Sequence, residues 1–218
     1  MERLPEPELM DTTAQAEAYA LADFSVPHQT FVDRYARCFP HQTPQRVADL
    51  GCGPADVTLR FARLFPHAEI DAYDGAPAML VWAKLAVGAA GARVRLIQCV
   101  LPSADLPAHH YDCVISNSLL HHLHDPAVLW QSVRRIAAPG ASVFIGDLHR
   151  PADEAEVQHL VATYASEAPP VLREDFGNSL RAAFHCDEIE AQLRAADLER
   201  LRVERTSDRH VLIYGQLP

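Results

Sequence analysis

The spacing of apolar residues changes near Gln45, and this change predicts two kinds of secondary structure. Before it, "DTTAQAEAYALADF" and "HQTFVDRYARCF" carry apolar side chains at helical intervals, and Asp11 or Thr12 is suited to cap the first helix. After it, short apolar runs such as "RVADL", "EIDAY" and "RVRLIQCV" alternate with longer helical patterns. Alternating strands and helices predict an α/β fold whose mainly parallel sheet is covered on both faces.

This alternation ends after Asp147. The following segment, from "RPADEAEVQHL" to "AQLRAADL", has a helical pattern, and "ERLRVERT" and "RHVLIYGQL" are two strand patterns joined by "SD". Strands so close in sequence are expected to pair antiparallel. We therefore predict a Rossmann-like, doubly wound sheet, mostly parallel with an antiparallel C-terminal strand, plus a helical cap.

A single domain covering 1–218 is expected from this organisation, because the chain has an ordinary single-domain length. The first ten residues, with two prolines, are expected to form a frayed tail. The predicted parts are N-terminal cap helices at 11–39, a core at 45–148, a helical insert or lid at 149–198 and a β-hairpin at 199–218.

The composition of the chain limits which partners the protein can bind and in which cellular compartment it is expected. The formal net charge is −10 and no run of Lys and Arg occurs, which argues against a nucleic-acid surface. The five cysteines are scattered without CxxC spacing, as expected for a reducing compartment. The sequence shows no apolar signal segment and no run long enough for a membrane span. We expect a cytoplasmic protein with no nucleic-acid or membrane partner, and a homodimer is an open alternative.

The segment "RVADLGCGPAD" places two glycines directly after the first predicted strand of the core. Glycines at a strand-to-helix turn let a ligand approach the backbone, and the N-terminus of the next helix adds free N–H groups. A tight turn without a ligand remains an alternative. A dinucleotide site requires G-x-G-x-x-G, but Asp56 occupies the last of these positions, and no G-K-[S/T] follows for a P-loop.

Two carboxylates indicate a different ligand. Asp49 lies two residues before Gly51, where it would repel a pyrophosphate but could orient an ammonium group. Asp74 ends the next strand, the position at which a carboxylate accepts hydrogen bonds from ribose hydroxyls. S-adenosyl-L-methionine carries both a ribose and an amino-acid group.

The same region resembles the class I S-adenosylmethionine-dependent methyltransferases from about Val47 to Gly146. "VADLGCGPAD", "IDAYDGAPAML", "YDCVISNSLLHHLHDP" and "RIAAPGASVFIGD" resemble four family motifs in order, and the closing hairpin resembles the family's sixth and seventh strands. The resemblance implies a methyltransferase that transfers a methyl group in line from S-adenosyl-L-methionine to an O, N, S or C nucleophile of a small molecule. Two alternatives remain: a relative with cyclase, decarboxylase or lyase-like chemistry, and a non-catalytic binding subunit.

The resemblance also implies positions for the cofactor. Asp49, Gly51, Cys52 and Gly53 would line its methionine end, and Asp74 would bind the ribose. The remaining implied contacts are Gly75, Met79, Val100 and Leu101 around the adenosine, Ser116 and Asn117 near the sulfonium, and Tyr19 closing over the cofactor. The stretch "QCVLPS" departs from the family, because it lacks the polar residue that often touches the adenine amino group.

Histidines are the candidate catalytic residues. The resemblance places His122 near the transferred methyl group, with a packing or capping role as the alternative. His149 follows the fifth strand and could act as a general base, or it could simply be solvated. "HHLH" invites a metal interpretation, but three histidines within one turn do not easily converge and no regularly spaced carboxylate or cysteine completes a site. No metal is therefore expected.

Substrate contacts are predicted at the same edge of the sheet and in the helical insert, because variable segments over a fixed scaffold commonly determine specificity. For the insert, the alternative is an ordinary helix with one face in the core and one in water. The candidates are Asp147, Arg150, Tyr164, Arg173, Asn178 and Arg181.

Overall fold

The computed structural model describes residues 1–88 and 93–218, and its centre is a seven-stranded sheet. The strands are β1 (Arg46–Leu50), β2 (Glu69–Asp74), β3 (Val94–Gln98), β4 (Tyr111–Asn117), β5 (Ala137–Leu148), β6 (Arg202–Arg205) and β7 (His210–Gln216). The helices are α1 (Thr13–Leu21), α2 (Ser25–Cys38), α3 (Asp56–Leu64), α4 (Pro77–Val87), α5 (Ala127–Ile136), α6 (Glu154–Tyr164), α7 (Pro170–Ala182) and α8 (Cys186–Ala195).

The strand order is β3-β2-β1-β4-β5-β7-β6. Strands β1 to β5 are parallel, and β7 lies antiparallel between β5 and β6. The predicted fold class and its antiparallel C-terminal strand are therefore confirmed. The order reverses between β1 and β4, and in such sheets ligands bind beyond the carboxyl ends of the strands at this reversal.

Two apolar layers hold the sheet, because successive strand residues point to opposite faces. Val47 and Ile115 pack on one face with residues of α2, α3 and α4. Ala48 and Val114 pack on the other face with residues of α5 and α8. Both faces of the sheet are covered by helices and shielded from water, which explains why the central strands are apolar without strict alternation.

Local sequence signals locate several element ends. Thr12, one of the two residues suggested as the first cap, accepts a hydrogen bond from the Gln15 amide at 3.2 Å. The proline and glycine of "APGAS" are residues that commonly follow the end of a helix. This segment lies instead within β5, which begins at Ala137 directly after α5, and Gly140 adopts a φ of +77° there.

The N-terminal segment is not a frayed tail, and that expectation is wrong. The Leu4 amide donates to the Arg181 carbonyl at 3.0 Å. The Arg3 guanidinium donates to the carbonyls of His121 and Leu123, both at 2.9 Å, and lies 4.0 Å from the centre of the Phe184 ring. These long-range bonds fix the segment against the helical insert. A composition rich in proline and glutamate did not reveal them, because the partners lie more than a hundred residues away.

Among residues 1–88 and 93–218, every helix is too short or too polar to cross a bilayer.

Candidate functional site

A cavity of about 920 Å³ opens at the carboxyl ends of the parallel strands, within the size range of small-molecule sites. Its lower part is formed by the residues that follow β1, β2, β4 and β5. Side chains from the N-terminal segment, α1, α2 and α7 and from the turn between β6 and β7 complete the wall. The cavity therefore lies at the edge of the sheet where the topology predicts a ligand.

The turn after β1 exposes its backbone to this cavity. Gly51 and Gly53 adopt φ values of +74° and +52°, a region that favours glycine. The amides of Gly51 and Cys52 donate to the Tyr73 carbonyl at 2.8 and 2.9 Å, which fixes the turn against β2. A Cβ on Gly51 would lie 3.0 Å from the Leu119 side chain. Both the conformation and the space at Gly51 therefore favour glycine.

Two carboxylates border the turn, Asp49 buried and Asp74 partly buried. Asp49 accepts a hydrogen bond from the Thr58 hydroxyl at 2.6 Å, and burial raises its pKa to about 7. Asp74 accepts from the amides of Gly53 and Ala76 at 2.7 and 2.8 Å, and burial raises its pKa as well. Negative charge at both positions suits a ligand with an ammonium group and hydroxyl donors and disfavours a pyrophosphate.

Apolar groups enclose the cavity beside Asp74. Met79 packs with Ala76, Tyr19 and Met10, and burial raises the Tyr19 pKa to about 12. A Cβ on Gly75 would lie 2.8 Å from a methyl group of Leu9 in the N-terminal segment. This part of the cavity is therefore a narrow slot covered by the segment that was expected to be frayed.

A hydrogen-bonded cluster forms the opposite wall. Asp147 lies 2.6 Å from His121 Nδ1, and its second oxygen accepts from the Leu120 amide at 2.7 Å. Burial opposes a charge on His121, but the Asp147 carboxylate outweighs it and raises the pKa of the imidazole. Burial and the neighbouring His121 lower the pKa of His122 to about 3, so His122 is neutral near pH 7. Asp147 thus orients His121 and leaves little acceptor capacity for a substrate.

Most of the predicted site residues line this one cavity. They are Tyr19, Asp49, Gly51, Cys52, Gly53, Asp74, Gly75, Met79, Val100, Leu101, Asn117, His122, Asp147 and Tyr164.

Six predicted residues lie outside the cavity lining: Ser116, His149, Arg150, Arg173, Asn178 and Arg181. The Ser116 hydroxyl is fully buried and donates to the Leu50 carbonyl at 2.6 Å, so it joins two strands. His149 packs against His185, and burial lowers its pKa to about 4. Neither residue faces a ligand in this arrangement, which corrects the sulfonium contact expected for Ser116 and the general-base role expected for His149.

The substrate-binding role predicted for three arginines and Asn178 is also corrected. Arg150 is buried, donating to the Ala183 carbonyl at 2.9 Å and to Glu188 at 2.7 Å. Arg181 binds Glu154 and, more weakly, the Asn178 side chain, with Arg–Asn atoms 3.4 Å apart. Arg173 is exposed on α7. On α7, Arg181 and the adjoining Asn178 lie towards α6, and Arg173 lies towards solvent, instead of towards the cavity.

Arg150 is expected to act in stability and not in binding. An Arg150→Ala variant leaves the Ala183 carbonyl and Glu188 without their partner and should lower the free energy of unfolding by about 1–3 kcal/mol. Chemical denaturation measures this loss, with Arg173→Ala as a control of the same residue type that should change stability little. A substrate affinity lost in Arg150→Ala at unchanged stability would contradict this assignment.

Several residues of the cavity wall were not predicted from the sequence. They are Glu8, Leu9 and Met10 of the N-terminal segment, His28, Phe31 and Arg34 of α2, Leu119, His121, and Arg209 and His210 near the end of the chain. Phe31 follows an apolar helical spacing that indicates a core position, and it does pack on Phe144. No local pattern indicates that these distant segments meet, since the meeting depends on the tertiary arrangement.

Comparison with known proteins shows which proteins the central part of the chain resembles. Residues 47–140 match the family model described as a methyltransferase domain. Trans-aconitate 2-methyltransferase of Methylobacterium radiotolerans is 29% identical over 173 residues, covering 74% of this chain and 62% of that protein. Ubiquinone biosynthesis O-methyltransferase of Xanthomonas axonopodis pv. citri is 28% identical over 155 residues, covering 71% and 62%. The chain thus spans just under two thirds of the length of these relatives.

A crystal structure of a SAM-dependent methyltransferase from Aquifex aeolicus superposes with a TM-score of 0.69 at 16% identity, covering 95% of this chain and 99% of that one. At this identity the superposition supports the fold alone. The matched segment of this chain contains the glycine turn, Asp49 and Asp74. Residues 47–140 are therefore similar to a methyltransferase domain, and the chain shares the fold of a SAM-dependent methyltransferase.

Proposed function

We propose that this protein transfers a methyl group from S-adenosyl-L-methionine to a small molecule. The observation that carries the proposal is the single cavity that joins the glycine turn, Asp49 and Asp74 to a wall built from distant segments. A cavity of about 920 Å³ has room for a ligand in addition to the cofactor. The relatives described above are both named methyltransferases, which favours methyl transfer over the cyclase-like or non-catalytic alternatives.

The residues around the turn fit this cofactor. Asp49 suits its ammonium group, the free lone pairs of Asp74 suit its ribose hydroxyls, and the slot beside Met79 and Gly75 suits its adenine. Val100 and Leu101 add apolar contact there, and Tyr19 adds an aromatic surface. When bound, S-adenosyl-L-methionine supplies an electrophilic methyl group on its sulfonium.

The protein's part in the reaction is mainly orientation and exclusion of water. Alignment of two reactants can contribute about 7–11 kcal/mol to lowering a barrier. Asn117 and His122 face the cavity after β4 and are placed to orient the acceptor. Since the His122 pKa of about 3 makes it a weak base, we assign it a contact role and not proton removal at neutral pH.

One cationic side chain of the wall, Arg34, favours an anionic acceptor molecule. Arg34 lines the cavity from α2, whereas Arg209, in the turn before β7, is paired with Asp208 at 2.9 Å and lies over the Tyr164 ring. Among residues 1–88 and 93–218, the Arg34 guanidinium makes only a long contact, 3.4 Å, with the Thr206 carbonyl, which leaves donors for a carboxylate. A carboxylic acid substrate is consistent with the name of one relative, trans-aconitate 2-methyltransferase.

An assay of product identity tests the proposal. The protein is incubated with S-adenosyl-L-methionine and small carboxylic acids, phenols or amines, and mass spectrometry follows the products. Methyl transfer gives equal amounts of S-adenosylhomocysteine and a product one methyl group heavier, strongly reduced in an Asp74→Ala control. Cofactor consumption without a methylated product would support the non-methyl-transfer alternative, and the absence of cofactor binding would reject the proposal.

Cofactor affinity is expected to depend on pH through Asp49. Its pKa of about 7 in the free protein means that it is partly protonated below neutrality, whereas an ammonium ligand favours the carboxylate. Affinity should therefore rise as the pH increases from about 5 to about 8 and then level off, because the Asp49 carboxyl is still half protonated at its pKa of about 7. Isothermal titration calorimetry checks this, and Asp49→Asn should bind more weakly with a flatter profile. An equally steep profile in Asp49→Asn would assign the dependence to another group.

The remaining expectations belong to the same proposal. A cytoplasmic location agrees with five free cysteines, and a net charge of −10 agrees with the lack of a nucleic-acid partner. A homodimer is testable by light scattering on the purified protein.

A further inference from the structure

Three side chains from two distant parts of the chain converge beside the cavity. Glu6 comes from the N-terminal segment, and His121 and His122 come from the short 3-10 turn after β4. One ligand atom from each lies within 4.8 Å of the others. His124, the third histidine of "HHLH", contacts Glu8 and the Glu6 carbonyl and takes no part in the cluster.

The distances in this cluster are close to those between ligands of one metal ion. Glu6 Oε1 lies 3.6 Å from His121 Nε2 and 3.4 Å from His122 Nδ1. Bonds of about 2.0–2.1 Å to a tetrahedral zinc ion separate its ligands by about 3.3–3.4 Å. Hydrogen bonds between nitrogen and oxygen are shorter, with a usual separation of about 2.9 Å.

The lone pairs also point to a cation. His121 Nδ1 is 2.6 Å from Asp147, an acceptor, so the proton of a neutral ring lies there and Nε2 carries a lone pair. His122 Nδ1 is buried and has no hydrogen-bond partner among the described residues. A carboxylate oxygen and two such nitrogens repel one another unless a cation lies between them.

The surroundings match those of metal-binding histidines. A carboxylate that accepts from the second nitrogen of a ligand histidine fixes the ring and raises its basicity, and Asp147 is so placed for His121. The Ser179 hydroxyl donates to Glu6 at 2.9 Å and holds that carboxylate in place. All three candidate ligands are nine-tenths buried or close to it, so they do not resemble a solvated surface cluster.

We propose that Glu6, His121 and His122 form a binding site for a divalent transition-metal ion, with zinc as the reference ion. Two imidazoles and one carboxylate are a ligand set of zinc sites that keep a fourth position open. His121 and His122 line the cavity, so a fourth ligand would come from that side, as water or as an oxygen of the bound substrate. The site is independent of the cofactor contacts at Asp49 and Asp74.

The simplest competing explanation for the close approach of these three side chains is a shared proton instead of a metal ion. A doubly protonated His121 would carry a hydrogen towards Glu6 and balance its charge without a metal. Zinc binding by the folded chain separates the two explanations, because only the metal site requires His122 Nδ1.

The test is a zinc titration of untagged, chelator-treated full-length protein, with a competing chelator to set the affinity. Wild type should bind one equivalent that Glu6→Gln and His122→Ala each weaken at least tenfold, whereas His67→Ala, an exposed histidine elsewhere, should leave it unchanged. With cobalt in place of zinc, the bound ion should show the absorption of a four-coordinate ion without a thiolate charge-transfer band.

Circular dichroism and thermal unfolding establish that each variant is folded, and Glu6→Gln retains an oxygen acceptor for Ser179. Wild type that binds no zinc, or binds it equally well in Glu6→Gln and His122→Ala, would overturn the proposal. A cobalt spectrum with thiolate character would also overturn it, since the metal would then be held by cysteines.

Discussion

An Asp74→Ala variant is expected to bind S-adenosyl-L-methionine at least tenfold more weakly than wild type, a loss of about 1.4 kcal/mol. The carboxylate is held by the amides of Gly53 and Ala76 at 2.7 and 2.8 Å, which fixes its orientation before a ligand arrives. Its removal deletes the acceptor for the ribose hydroxyls and leaves both amides unpaired near the ligand. Calorimetry with S-adenosyl-L-methionine and S-adenosylhomocysteine measures the change.

Asp105→Ala is the matched control for this experiment. Asp105 is an exposed aspartate outside the cavity lining, and its replacement removes the same charge from the whole protein. The control should bind the cofactor like wild type. Equal affinities for wild type and Asp74→Ala would show that the ribose is bound elsewhere.

A Gly51→Ala variant is expected to lose most of its cofactor affinity. A second glycine with a similar backbone conformation serves as the control for this experiment. Gly51 and Gly140 have nearly equal φ values, +74° and +77°. Alanine at either position should cost about 1–2 kcal/mol of stability, because a Cβ is unfavourable in this region. Only at Gly51 does the added Cβ also meet a neighbour, Leu119, at 3.0 Å.

The two variants therefore separate backbone strain from loss of the binding surface. Denaturation curves should show destabilisation of both variants, at least as large for Gly51→Ala, and calorimetry should show weakened cofactor binding for Gly51→Ala alone. If Gly140→Ala lost cofactor affinity to the same degree, general destabilisation would explain the result and the turn would have no direct part in binding.

The core of the fold followed from local patterns. Each parallel strand was recognisable in the sequence as a short apolar run, because a strand that is buried on both faces needs no polar residue. "GCG" and the carboxylates on either side identified the turn and its ligand edge, since a strand end, a glycine pair and a helix start are all local features. Even the antiparallel β7 was predictable, because "SD" allows only a short connection to β6.

The upper part of the site was predicted less well, for a physical reason. Arg150 and Arg181 were placed in a binding role because charged residues after a strand or along a helix suggest one. Their partners, Glu188 and Glu154, make them structural, and those pairings depend on how α6, α7 and α8 pack. Glu6 shows the reverse case, because nothing near it in sequence indicates that it meets His121 and His122. Contacts between distant segments have no local signature.

A crystal structure of the protein with S-adenosylhomocysteine tests the central claim most directly. The account predicts the ribose hydroxyls within hydrogen-bond distance of the Asp74 carboxylate, the amino-acid end against Gly51 and Gly53 beside Asp49, and the adenine in the slot next to Met79. A ligand located elsewhere, or one whose ribose makes no contact with Asp74, would contradict the account.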